Sequence, residues 1–141
     1  MHTAVRCLAV VALAGITACT RTNVALLDQS VTLSPTCEQG VILYTSPDKA
    51  PQHREIAILN SAGSSGFTTE AGMMKSMREK AASVGATGVI LNTIEDASAG
   101  VKVAAAVFGV GTERKGRSVA IFAEADVERV RTTCASAAAQ K

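Results

Sequence analysis

Hydrophobic and polar positions divide the chain into one continuous apolar leader and a series of short runs with strand-like or helix-like spacing. The leader covers residues 7–16 and is preceded by Arg6. Residues 19–36 form a tether in which Val24, Leu26, Leu27, Val31 and Leu33 are too many apolar side chains for a solvated linker, so part of it is expected to dock on the domain or on a neighbour. Val41-Ile42-Leu43-Tyr44 predicts a first strand, stopped at Ser46-Pro47-Asp48. Residues 54–59 predict a second, with Ile56 and Ile58 sharing a face. Ala62-Gly63-Ser64-Ser65-Gly66 has the composition of a flexible connection.

The helical signal is clearest over residues 69–84. Thr68 or Thr69 serves as N-cap, Glu70 sits in the first turn, and Met74, Met77, Ala81 and Val84 form one stripe at helical spacing. Gly85 supplies the stop. Residues 88–94 are nearly all apolar and predict a strand buried on both faces, and residues 117–123 predict a fourth strand. A tail helix is expected from near Asp126, carrying Cys134. The order β-β-α-β-β-α predicts an α+β domain: a small mixed sheet of about four strands, one main helix on a face, and a C-terminal helix. The expected organisation is a leader over residues 1–18, the tether over 19–36, a single domain over 37–137 and a tail over 138–141.

The leader has the marks of an export signal: a cation, an apolar stretch, then small residues before a cysteine. Its apolar run is about half of the roughly 20 residues that span a bilayer, which argues against a membrane-crossing anchor. Ile16-Thr17-Ala18-Cys19 resembles the lipobox of bacterial lipoproteins at all four positions. That resemblance implies cleavage before Cys19, diacylglycerol on its sulfur and an acylated amino terminus; the competing reading is an ordinary secretory signal. Each acyl chain contributes about 0.8 kcal/mol per buried methylene, so two or three chains would hold the protein on a membrane without a spanning helix. Thr20 stands where an Asp would, by resemblance to enterobacterial sorting, favour retention in the inner membrane. The expected location is therefore the outer membrane, facing the periplasm.

Composition narrows the function. The 14 Lys and Arg nearly balance the 12 Asp and Glu, and there is no Trp, one Tyr and three Phe. Nucleic acid, which selects bulk positive charge and aromatic platforms, is not an expected partner. Once the leader and Cys19 are set aside, Cys37 and Cys134 remain. In an oxidising compartment they most simply pair, closing a loop of roughly a hundred residues for which the chain-entropy model allows about 4 to 5 kcal/mol. Free thiols, an intermolecular bridge or a redox or metal role are the alternatives, but there is no Cys-x-x-Cys, and His53 alone supplies no metal constellation. No metal or cofactor is expected.

The strand-like runs 41–44 and 56–59, followed by Lys80-Ala81-Ala82-Ser83-Val84-Gly85-Ala86-Thr87-Gly88-Val89-Ile90, resemble the YbjQ-like small α+β domains and the Rcs-type outer-membrane stress-sensor lipoproteins. In these a helix ends in an Ala-x-x-x-Gly-Ala-like turn that leads into a buried strand. The likeness covers residues 41–123 and implies a sheet-and-helix domain displayed on a lipid tether, with contacts to envelope partners in the sensor branch. The chain departs from that branch in having one candidate disulfide rather than two and no Pro-rich basic spacer. From residue 99 to 121 it is more similar to an uncharacterised subgroup of bacterial lipoproteins.

Few residues offer chemistry. Gly111-Thr112-Glu113-Arg114-Lys115-Gly116-Arg117-Ser118 has P-loop spacing with Arg at the lysine position, but a strand-like run follows where a phosphate-cradling helix is needed. A basic turn entering a strand is the simpler reading. Arg114, Lys115 and Arg117 form a candidate contact for lipid phosphates or for an acidic patch on a partner, set against a plain solvated turn. Residues 101–110 suit either membrane contact or self-association, or cover for the second face of the sheet. Met73, Met74 and Met77 suit core packing better than an adaptable ligand site. Glu95 and Asp96 are neighbours on a strand end and point apart. No Ser-His-Asp or Cys-His set can be nominated. The sequence thus leads to a non-enzymatic, membrane-anchored envelope module for binding, assembly or stress. The alternative is a ligand- or metal-binding, oligomeric YbjQ-like domain.

Overall fold

The structure, a computed structural model, describes residues 20–30, 32–64, 68–95 and 112–140. The leader, Cys19 and residues 101–110 lie outside the described residues, as do Ser65 and Gly66 of the expected connection. The fold is α+β, with five strands in one mixed sheet. These are β1 (Arg21–Leu26), β2 (Ile42–Tyr44), β3 (Arg54–Ser64), β4 (Gly88–Glu95) and β5 (Glu113–Phe122), in spatial order β1-β3-β5-β4-β2. Two helices complete it: α1 (Glu70–Ser83) between β3 and β4, and α2 (Val127–Ala138) after β5. Short 3-10 turns at Glu38–Gly40, Pro47–Lys49 and Glu124–Asp126 link the elements. Only β2 and β4 run parallel, joined through the long excursion that contains β3 and α1.

The helix lies on one face of the sheet because both surfaces are apolar and small. Ala57 and Leu59 of β3, Val89 of β4 and Ala120 of β5 are fully buried beneath Met77, Ala81 and Ala82 of α1. Gly116 matters for the same reason, since a Cβ there would stand 2.8 Å from the Met77 methyl and 3.1 Å from that of Met73. The methionines use the space that the missing side chain leaves. The buried stripe is Met73, Met77, Ala81 and Ala82, one position round from the expected one: Met74 and Val84 are half-exposed.

Both ends of α1 follow local rules. The Thr69 hydroxyl accepts from the Gly72 amide at 3.0 Å, settling the N-cap. At the other end Gly85 has φ of +78°, its amide donates to Ala82 and the Ala86 amide donates to Ala81, the paired bonds of a Schellman stop. The strap that precedes Cys37 lies against this end, with the Thr36 amide on the Ala82 carbonyl and the Thr36 hydroxyl on the Ala86 carbonyl.

Part of the tether docks on the domain, as expected, and does so as sheet: residues 21–26 form edge strand β1, paired along its whole length with β3 from Arg21↔Ala62 to Leu26↔Ala57, so the sheet begins before the expected domain start at residue 37. Thr22 and Val24 point under α1 while Arg21, Asn23 and Ala25 point away, an alternation too short to stand out beside Leu26-Leu27. The Thr22 hydroxyl donates to Ser61 at 3.1 Å and shares a 2.7 Å hydrogen bond with Ser76, tying β1, β3 and α1 together.

Strand β3 runs five residues beyond Leu59, through Ala62-Gly63-Ser64 of the expected flexible connection, with Ser61 buried and bonded to Thr22. Its register slips between Glu55 and Ala57, so Ile56 is an extra residue; Ile56, Ala57 and Leu59 join the core while Ile58 faces outward, opposite Val119. The bulge is why Ile56 and Ile58 do not share a face. Strand β5 starts at Glu113, four residues before the expected Arg117, so the supposed basic turn is strand.

Gly85→Val should be strongly destabilising. A β-branched residue is strained at positive φ, and its Cβ would lie 2.4 Å from the Leu33 Cβ and 2.8 Å from the Ser34 carbonyl oxygen. A loss of about 2 kcal/mol or more is expected, read as a Tm lowered by about 10 °C; an unchanged Tm would contradict this account of the helix stop.

Candidate functional site

Two ends of the sheet carry the features that bear on function. At one end Cys37 precedes the 3-10 turn Glu38–Gly40, its sulfur accepting from the Gly40 amide at 3.3 Å. That turn packs on α2 so closely that a Cβ on Gly40 would lie 2.8 Å from Val130 and 3.0 Å from the Cys134 sulfur. Here Cys37 and Cys134 are joined by a disulfide with a Cα separation of 5.5 Å. The disulfide ties down a helix that buries little of its own surface: Val130 is its one buried residue, and Val127 is exposed.

Beside the disulfide lies a cleft of about 580 Å³. Leu33, Pro35, Phe122, Val127 and Val130 give it apolar walls, and Arg131 stands at its margin, paired with Glu128 at 2.6 Å. Thr87 contributes no free donor, because its hydroxyl is directed at the Ile121 and Ala123 carbonyls, 3.5 Å from each, while its oxygen accepts from the Ala123 amide at 2.8 Å. Among the described residues that line it, apolar side chains predominate and both cysteines are held in the disulfide. Among the described residues no group of three His, Cys, Asp or Glu is placed to hold a metal.

A second polar connection fixes the start of α2. The Tyr44 hydroxyl donates to Asp126 Oδ2 at 2.6 Å, and Arg129 pairs with Asp126 Oδ1 at 3.2 Å. Desolvation of the phenol, followed by its hydrogen bond to Asp126 and the charge of that carboxylate, pushes the Tyr44 pKa from 10.0 up to about 12. Sequence reading missed this contact, since Tyr44 and Asp126 are 82 residues apart.

The opposite end of the sheet carries the basic residues, but not as one cluster. Arg114 lies on the side of α1 and donates to the Thr68 carbonyl at 3.0 Å. Lys115 and Arg117 belong to the other face, with Lys115 3.8 Å from Glu113 across an exposed pair. The strand period separates Arg114 from its neighbours. In its place the register brings in Arg21: one row runs Arg21–Ala62–Lys115–Glu95 and the next Asn23–Asn60–Arg117–Thr93. Asn23, Asn60, Lys115 and Arg117 line a shallow depression of about 340 Å³. Recognising β1 as a strand was the signal that would have found Arg21.

Because the chain has a single tyrosine, phenolate absorbance reads Tyr44 alone. In the folded protein the midpoint should lie near pH 12 and after unfolding near 10. A raised native pKa means that the fold favours the neutral phenol. Its contribution to stability is therefore complete below pH 10 and lost as pH rises towards 12. A native midpoint at the ordinary value would contradict the Tyr44–Asp126 contact.

No family model matches the chain, and no curated protein matches it in sequence. Among solved structures it is similar to the crystal structure, in an orthorhombic form, of FvfA, a Francisella virulence factor. The match has a TM-score of 0.51 and 15% sequence identity, and covers 72% of this chain and 96% of that one. At that identity the likeness is one of fold.

Proposed function

We propose that the protein is a lipid-anchored lipoprotein of the bacterial envelope, acylated at Cys19, whose domain serves as a non-enzymatic binding, assembly or stress-related module on the periplasmic side of the outer membrane. The Cys37–Cys134 disulfide carries the reading, because such bonds persist in oxidising compartments, and the lipobox-like Ile16-Thr17-Ala18-Cys19 supplies the route there. No helix among the described residues is long and apolar enough to cross a membrane, so attachment in this reading falls to the acyl chains. The apolar cleft beside the disulfide favours binding over catalysis. Its walls suit an apolar side chain of an envelope protein or the tail of a small amphiphile.

The test is fractionation. Wild-type protein should sediment with membranes, while Cys19→Ala should leave them and keep its disulfide. Wild-type protein free in the soluble fraction would sink the anchored reading and leave the domain as an unattached ligand binder.

A further inference from the structure

The lipoprotein resemblance implies a domain displayed on a lipid tether, but β1 takes up the first part of that tether into the sheet. Arg21 is the first residue of the sheet, and a single residue, Thr20, separates it from Cys19. Two residues reach at most about 7 Å. Thr20 itself is in place beside the first turn of α1, its hydroxyl 4.0 Å from where a Cβ on Gly72 would stand. A chain acylated at Cys19 therefore cannot let the domain stand off.

The residues at that end suit the surface they would meet. Arg21 and Lys115 occupy one register row and Arg117 the next, all three exposed on the face turned away from α1. Asn23 and Asn60 add amide donors to the second row. Glu113 pairs with Lys115 at 3.8 Å, so the end is weakly rather than strongly cationic. Arg21 and Arg117 have no ion-pair partner among the described residues. With Arg21 within about one Debye length of the anchoring cysteine, a weak cationic surface is enough to engage lipid phosphates.

We propose that the Arg21, Lys115 and Arg117 end of the sheet lies against the membrane and contacts phospholipid headgroup phosphates, while the disulfide-flanked cleft faces away from it. The inference rests on acylation at Cys19 and adds the orientation. Phe122, on the cleft wall, is seven residues along β5 from Lys115, about 24 Å at strand rise. The cleft is thus carried clear of the lipid surface and open to a partner in the aqueous compartment.

Tryptophan quenching tests this directly, because the chain has no Trp of its own. Ser64→Trp reports the anchored end, where Ser64 pairs with Glu113, and Val127→Trp reports the cleft. Each acylated full-length variant is reconstituted in phosphatidylethanolamine–phosphatidylglycerol vesicles that contain a headgroup nitroxide lipid. Quenching should be several-fold stronger at position 64 than at 127. It should fall at 64 when Arg21, Lys115 and Arg117 are all changed to Ser, with the protein still vesicle-bound. Equal quenching at the two positions overturns the orientation, and an unchanged value in the triple variant overturns the phosphate contact. Protein that fails to float with the vesicles overturns the anchored reading itself, and flotation is scored before any quenching.

Discussion

Close approach of α1 to the sheet is the constraint on which the rest of the structure depends. With so few aromatic residues, the core cannot be filled by large rings and is instead built by bringing small surfaces together. Ala57, Ala120 and Gly116 on the sheet, facing Ala81 and Ala82 on the helix, permit that approach, and Met73 and Met77 fill the irregular space left over. Several polar atoms trapped in the same layer are satisfied locally, the Thr68 hydroxyl being an exception. Ser118 lies 3.3 Å from the Met77 sulfur, and Thr22, Ser61 and Ser76 bond one another. This arrangement sets the depth of the helix and therefore the position of the Gly85 stop, which in turn carries the strap leading to Cys37.

The two ends of the sheet differ in how they are held, and the difference underlies the functional account. At the cleft end the covering element, α2, has little buried surface and is fixed by a covalent bond and by the Tyr44–Asp126–Arg129 contacts. Such an arrangement keeps apolar side chains such as Val127 and Phe122 near solvent without requiring them to form a core of their own. At the other end the edge strand β1 is held by its ladder to β3 and by buried hydroxyls. An anchor attached just before β1 would pull on a strand that is part of the sheet, so the membrane and the domain would be mechanically continuous.

Much of this was legible in the residues because it depended on local signals. The cap at Thr68 or Thr69, the stop at Gly85, the buried strand after Gly88 and the mixed α+β class follow from spacing and turn chemistry within a few positions. The pairing of Cys37 with Cys134 was the simplest of several readings once the leader and Cys19 were set aside. What escaped was set by partners distant in sequence. Strand β1 depends on pairing with β3, and Ser61 belongs to a strand only because Thr22 reaches it. The bulge at Ile56 changes which side chains face α1 without any mark in composition. The basic residues were seen as a group by proximity along the chain, whereas strand geometry places Arg114 on one face, Lys115 and Arg117 on the other, and joins the latter two to Arg21.

The most direct test of the account is the intact mass of the protein extracted from its native membrane, measured before and after reduction. An anchored domain gives a chain that begins at Cys19, carries a diacylglyceryl group and an amide-linked acyl chain, and gains the mass of two hydrogens when the Cys37–Cys134 disulfide is reduced. A chain with no acyl groups, or one beginning elsewhere, would contradict the anchored domain and the orientation derived from it.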